Sequence, residues 1–184
     1  GVISFCNHEK SLNSFSLCKI KCETDFVAKN DDYVQLAQRL SDHALGFTDK
    51  ESFLDSDFEG MKVSEKLLEQ TGIIGEKIEI GSFEHISASF VGSYIHAGNK
   101  IASIVGFSEN FDNASDVGKD LSMQIAAMNP VAIDENGVSQ EIIAKEIEIA
   151  KDQLRQEGKP EEMLDNIAKG KLKKFFKENT LINQ

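Results

Sequence analysis

The last third of the chain carries the pattern that most narrows the possible folds. Ile143, Ile147, Ala150 and Leu154 are spaced 4, 3 and 4 residues apart, the apolar seam of a helix over two heptads. Gly158-Lys159-Pro160 then interrupts the pattern, and Pro160 suits the start of a second helix, with Glu161 and Glu162 in its positive first turn. Leu164, Ile167, Ala168, Leu172, Phe175 and Phe176 line that helix, and Lys169, Lys171, Lys173, Lys174 and Lys177 crowd its negative end. A tight turn between two amphipathic helices predicts a protruding antiparallel coiled-coil hairpin over 138–184. At about 1.5 Å per residue each arm reaches roughly 25–30 Å.

The preceding residues alternate strand and helix signals. Gly1 to Cys22 reads as two β segments around a turn at 8–14. Asn30-Asp31-Asp32 caps a helix carrying Tyr33, Val34, Ala37, Leu40 and Ala44 at helical spacing, with Gly46 as a stop. Phe47, Phe53, Leu54 and Phe58 are expected anchors, followed by a short helix over 64–70 with Leu67 and Leu68. Strands are expected at 77–80, 86–90, 92–96 and 100–107. A helix capped at Asn113 or Ser115 then presents Val117, Leu121, Ile125 and Met128 on one face until Asn129-Pro130 ends it. Hairpin-then-helix thus occurs twice. The predicted class is α+β, with two similar subdomains over 1–84 and 85–137, each a small antiparallel sheet packed with helices.

Charge limits the partners. With 31 Asp and Glu against 20 Lys and Arg, the net charge of −11 disfavours direct nucleic-acid binding and adsorption on an anionic membrane. Residues 139–184 hold nine cations and nine anions, so the whole excess lies in 1–138. No apolar run is long enough to span a bilayer. Three cysteines without framework spacing favour a reducing compartment. Cys6, His8, Cys18 and Cys22 fall on even positions of the first hairpin and would share one face, which raises a zinc site. Their spacing is no knuckle signature, and small buried cysteines ordinarily belong to cores. No phosphate loop, nucleophile elbow or His pair at i,i+4 is present, so a binding protein without its own chemistry or cofactor is expected rather than an enzyme.

One connection stands out. Cys22-Glu23-Thr24-Asp25-Phe26-Val27-Ala28-Lys29-Asn30 joins a strand to a helix and sets a carboxylate beside a large ring. As a capped turn, Thr24 or Asp25 would cap and Phe26 would pack inward, which is where connecting phenylalanines ordinarily go. The alternative is a ring and carboxylate presented to a partner.

That string resembles a motif of the elongation factor Ts family, the exchange factors of the GTPase elongation factor Tu. Ile74-Gly75-Glu76, Gly92-Ser93-Tyr94-Ile95-His96, the run 123–130, Glu157-Gly158-Lys159-Pro160 and the run 169–176 match in family order over nearly the whole chain. The resemblance implies a core fragment, without the family's N-terminal helical domain and C-terminal end, acting in the cytoplasm of a bacterium or in an organelle of bacterial origin. It implies a guanine nucleotide exchange factor in translation elongation. Asp25 and Phe26, within Thr24–Val27, would disturb the Mg²⁺ and nucleotide site of elongation factor Tu, while Ile74, Gly75 and His96 would make further contacts. Lys100-Ile101-Ala102 departs from the Arg-Ile-Gly of many relatives. A second reading makes the chain an interaction module, a homodimer through its coiled coil.

Overall fold

The computed structural model describes residues 2–7, as backbone, and residues 13–184. Two compact units are present, Gly1–Ala126 and Ala127–Gln184. Helices and small antiparallel sheets make it an α+β chain, as expected.

In the first unit, β1 (Val2–Asn7) and β2 (Ser14–Lys21) pair antiparallel, and β5 (Glu79–Ser87) pairs on the other side of β2, giving the order β1-β2-β5. A central strand has two faces to bury, and Phe15 to Cys18 are buried without alternation. The strand expected at 77–80 runs on as β5 into the start of the one expected at 86–90, and Phe90 already begins the next strand. The register shifts between Lys19 and Ile20, whose partners are Ser82 and Ile80, so Gly81 is the extra residue of a bulge. A Cβ on Gly81 would stand 2.4 Å from the Lys21 side chain.

Helix α1 (Asp25–Ala28) is a single turn and leads into α2 (Asp31–Ala44), which Asn30 caps by accepting from the amides of Asp32 and Tyr33 at 2.9 and 3.2 Å. Its buried residues Tyr33, Leu36, Ala37, Leu40, Ser41 and Ala44 form one helical stripe. They pack with Cys18 and Ile20 of β2, with Phe53 of α3 (Lys50–Asp55), and with Val63 and Leu67 of α4 (Val63–Ile74). Between α3 and α4 lies the two-residue pair β3 (Asp57–Phe58) and β4 (Met61–Lys62). The aromatic anchors expected at Phe47, Phe53 and Phe58 surround the His43 ring at centroid distances of 5.1 to 5.9 Å. Leu68, by contrast, is exposed.

A second hairpin pairs β6 (Phe90–Ile95) with β7 (Ala102–Phe107) and precedes α5 (Ala114–Met128). The apolar face expected on α5, with Val117, Leu121, Ile125 and Met128, is not the face that the structure buries most fully. The buried residues of the helix are Ala114, Gly118 and Ser122, while Val117 and Met128 are exposed. The cause is close approach of backbone to backbone. A Cβ on Gly92 would lie 2.6 Å from Gly118, and one on Gly118 would lie 3.0 Å from the Gly92 Cα. The Ser103 hydroxyl, donating to the Ser122 carbonyl at 2.6 Å, ties the same surfaces.

The second unit contains α6 (Gln140–Gln156) and α7 (Glu161–Asn179). Gly158, at φ +74°, turns the chain, and Pro160 sits at the N-cap with Glu161 as the first helical residue. Ala150, Leu154, Leu164 and Ala168 are buried along the seam. Lys151–Asp165 at 2.5 Å and Arg155–Glu161 at 2.8 Å mark the antiparallel register. At the base, Val131 donates to the Asn179 carbonyl at 2.9 Å and Leu181 to that of Ala132 at 3.0 Å.

Candidate functional site

The 22–30 segment begins where β2 leaves its sheet. Thr24 has extended backbone and its hydroxyl oxygen accepts from the Val27 amide at 3.4 Å, so Thr24, not Asp25, is the cap of α1. The expected inward Phe26 is overturned: the ring is 89% exposed. One turn of helix has too few residues to point both Val27 and Phe26 at the core, and Val27 and Ala28 take that face.

What holds so short a helix comes from another part of the chain. Helix α4 ends at Gly75, whose φ of +79° lies in the left-handed region, and the Gly75 amide donates to the Thr71 carbonyl at 2.9 Å. The Thr71 hydroxyl accepts from the Ile78 amide at 3.0 Å, which fixes the turn beyond. Glu76 is thereby aimed at the start of α1. Its carboxylate accepts from the amides of Glu23 and Thr24 at 3.0 and 2.9 Å, and from the Thr24 hydroxyl. The Thr24 donor, with the two amides adding, holds the Glu76 carboxyl below the ordinary carboxylate range. Thr24 therefore donates to Glu76 and accepts from Val27 with one oxygen.

Asp25 is held from a different side. Lys100 Nζ lies 2.9 Å from its Oδ1, and this hydrogen-bonded cation draws the Asp25 carboxyl below its ordinary value. Both side chains are more than half exposed, so the pair orients Asp25 more than it stabilises the fold. Lys100 closes the turn between β6 and β7, where Gly98 and Asn99 have positive φ and the His96 amide donates to the Ile101 carbonyl at 2.8 Å.

The structure thus brings Thr24, Asp25, Phe26 and Val27 into one braced turn. A groove of about 400 Å³ beside it is lined by Val27, Asn30 and Tyr33 on one side and Gln70, Ile73 and Ile74 on the other. Ile73 is 70% exposed at its rim. Gly75 is the helix end that presents Glu76. His96 stands at the start of the Lys100 turn, exposed, with its Nδ1 hydrogen-bonded to the Tyr94 hydroxyl at 2.9 Å. Glu76 and Lys100 are the residues that sequence reasoning left without a role. They lie 52 and 75 positions from their partners, and no local pattern signals either.

The zinc reading rested on Cys6 and His8, whose side chains lie outside the described residues. Cys18 is fully buried, and burial pushes its thiol up to about 12, the state of a neutral core residue. Cys22 donates from Sγ to the Thr24 carbonyl at 3.4 Å. Among the described residues, no helix is long and apolar enough to cross a membrane.

Residues 23–184 match the family model described as elongation factor Ts. Elongation factor Ts of Christiangramia forsetii is 60% identical over 168 residues, covering 91% of this chain and 61% of the relative. That of Flavobacterium psychrophilum is 56% identical over 165 residues, covering 90% and 60%. That of Amoebophilus asiaticus is 45% identical over 172 residues, covering 92% and 62%. This chain spans about three fifths of the length of these relatives. With a family match across most of its residues and identities of this size, the chain belongs to the elongation factor Ts family.

Proposed function

We propose that this chain carries the exchange element of a guanine nucleotide exchange factor that binds elongation factor Tu and promotes GDP release. The observation that carries the reading is Phe26, 89% exposed on a helix of one turn yet braced beside the carboxylate of Asp25. A ring carried outward on a braced backbone turn leaves less backbone entropy to lose on docking, which favours its use as a wedge into a partner. Asp25 next to it brings negative charge toward a site where Mg²⁺ demands near-octahedral oxygen geometry, so a small displacement there loosens the nucleotide. Thr24 and Val27 set the angle of the wedge, and Ile74, Gly75 and His96 supply further contact. The 1–84 subdomain carries the element, 85–137 the second contact, and 138–184 the hairpin. If factor and GDP each weaken the other's binding, release accelerates with no chemistry by this chain, no cofactor and no nucleic acid. The setting is the bacterial cytoplasm.

The acidic excess of residues 1–138 suits a protein partner, as phosphate contacts would need clustered cations. Burial of Ala150, Leu154, Leu164 and Ala168 within one hairpin supports exchange over pairing of two copies, because that seam already has its partner. The test is release of labelled GDP from elongation factor Tu. The parent chain accelerates it, and Asp25→Ala with Phe26→Ala abolishes the acceleration. A double variant as active as the parent overturns the site.

A further inference from the structure

We propose that Glu76 is the positioning residue of the exchange element: its carboxylate, by accepting from the backbone of Glu23 and Thr24 and from the Thr24 hydroxyl, holds α1 and the Phe26 ring in a docking-ready conformation. The inference rests on the reading that this element engages elongation factor Tu.

A helix of four residues does not stand alone in water, because nucleation fixes several residues for very few hydrogen bonds. Val27 and Ala28 are only partly buried against the core, so packing supplies only part of the missing stabilisation. Three donors converge on one carboxylate instead, two of them consecutive backbone amides that only the conformation leading into α1 brings together. Hydrogen bonds to an ionised acceptor are about twice as strong as neutral ones. The third donor is the Thr24 hydroxyl, and giving its proton to Glu76 leaves its oxygen turned to the Val27 amide. Glu76 therefore orients the cap as well as the strand end. Its own place is set by the left-handed Gly75 and by Thr71, which close α4 independently of α1. The brace ties the element to α4, on the far side of the groove that Val27 and Ile74 share. It touches neither Phe26 nor Asp25, and so acts through Thr24.

Glu76→Gln separates this role from simple folding. The amide keeps the size of the side chain but replaces one acceptor oxygen with a donor facing donors. In the 184-residue chain, the Glu23 and Thr24 amides should exchange with solvent about tenfold or more faster in the variant, the size expected for hydrogen bonds to a charged acceptor. The Ile143 amide of the coiled coil and the thermal midpoint should stay unchanged. With elongation factor Tu carrying labelled GDP, the factor concentration for half-maximal release should rise about 3- to 10-fold, because docking must then order the turn. Glu69→Gln, which removes a surface ion pair of α4 with Lys66, should move neither reading. Unchanged exchange at Glu23 and Thr24 overturns the positioning role. Faster exchange with unchanged GDP release, in a parent that is active, overturns its importance for docking. A parent chain that fails to accelerate release counts against the exchange reading, while the amide measurement still decides the positioning role by itself.

Discussion

The two hairpin-and-helix regions of the first unit follow the same order and pack by opposite means. Around α2 the interface is built from side chains: Tyr33, Leu36 and Leu40 are buried against β2, α3 and α4. Around α5 it is built from the lack of them, with Gly92 and Gly118 in backbone contact and Ser122 beneath Ser103. The first solution tolerates small shifts but loses heavily when volume is removed; the second tolerates no added atom. Similar order along the chain therefore does not imply similar energetics.

The contrast can be broken at its strongest point first. Leu40→Ala should lower unfolding free energy by about 2–5 kcal/mol in urea denaturation, the cost of a fully buried leucine. In the other region the sign is the test. Gly92→Ala places a methyl group 2.6 Å from Gly118 backbone atoms, which cannot swing aside, so a loss of about 1–3 kcal/mol is expected. A gain instead would mean that α5 and β6 are not in contact, since a permitted alanine stabilises through the unfolded state.

Between these regions lies the turn of α1, where stability and function should part. Phe26→Ala should change unfolding free energy by less than about 0.5 kcal/mol, as for an exposed side chain, yet remove most of the stimulated GDP release. A large loss of stability would show that the ring is packed and would sink its role as a presented wedge. The smallest effect is expected at Asp25. Its folded-state carboxyl lies below the ordinary value, so the pairing with Lys100 is fully present above the ordinary carboxylate range and lost as pH falls through the lowered value. In Lys100→Ala, titration of Asp25 followed by NMR should move up toward the ordinary value, while the thermal midpoint at neutral pH barely changes. An unmoved titration would remove the link between the Lys100 turn and the proposed exchange element.

Local chemistry made much of this legible. Asn30 before two aspartates predicted the cap of α2 because a short side-chain acceptor needs only the next two amides, and those bonds are present. Gly158 and Pro160 marked the turn of the hairpin for equally local reasons. The buried face of α5 was not legible because hydrophobic periodicity identifies apolar stripes and is blind to a stripe of small residues used for close approach. Phe26 was misplaced for a related reason: burial statistics describe where rings usually go, and one turn of helix offers too few inward positions for all its apolar residues.

By itself the sequence determined the α+β class, the helical hairpin with its seam, the Asn30 cap of α2, and the family to which the motifs belong. All of these depend on residues within a few positions of one another, or on strings that can be matched one by one. Only the tertiary structure decided that Phe26 stands outward, that Glu76 closes on Glu23 and Thr24, and that Lys100 reaches Asp25. Those contacts join residues 52 to 75 positions apart, and they form because α4 and the β6–β7 turn arrive beside the end of β2. A hydrogen bond needs donor and acceptor within about 3 Å, and only the folded chain brings such distant residues that close.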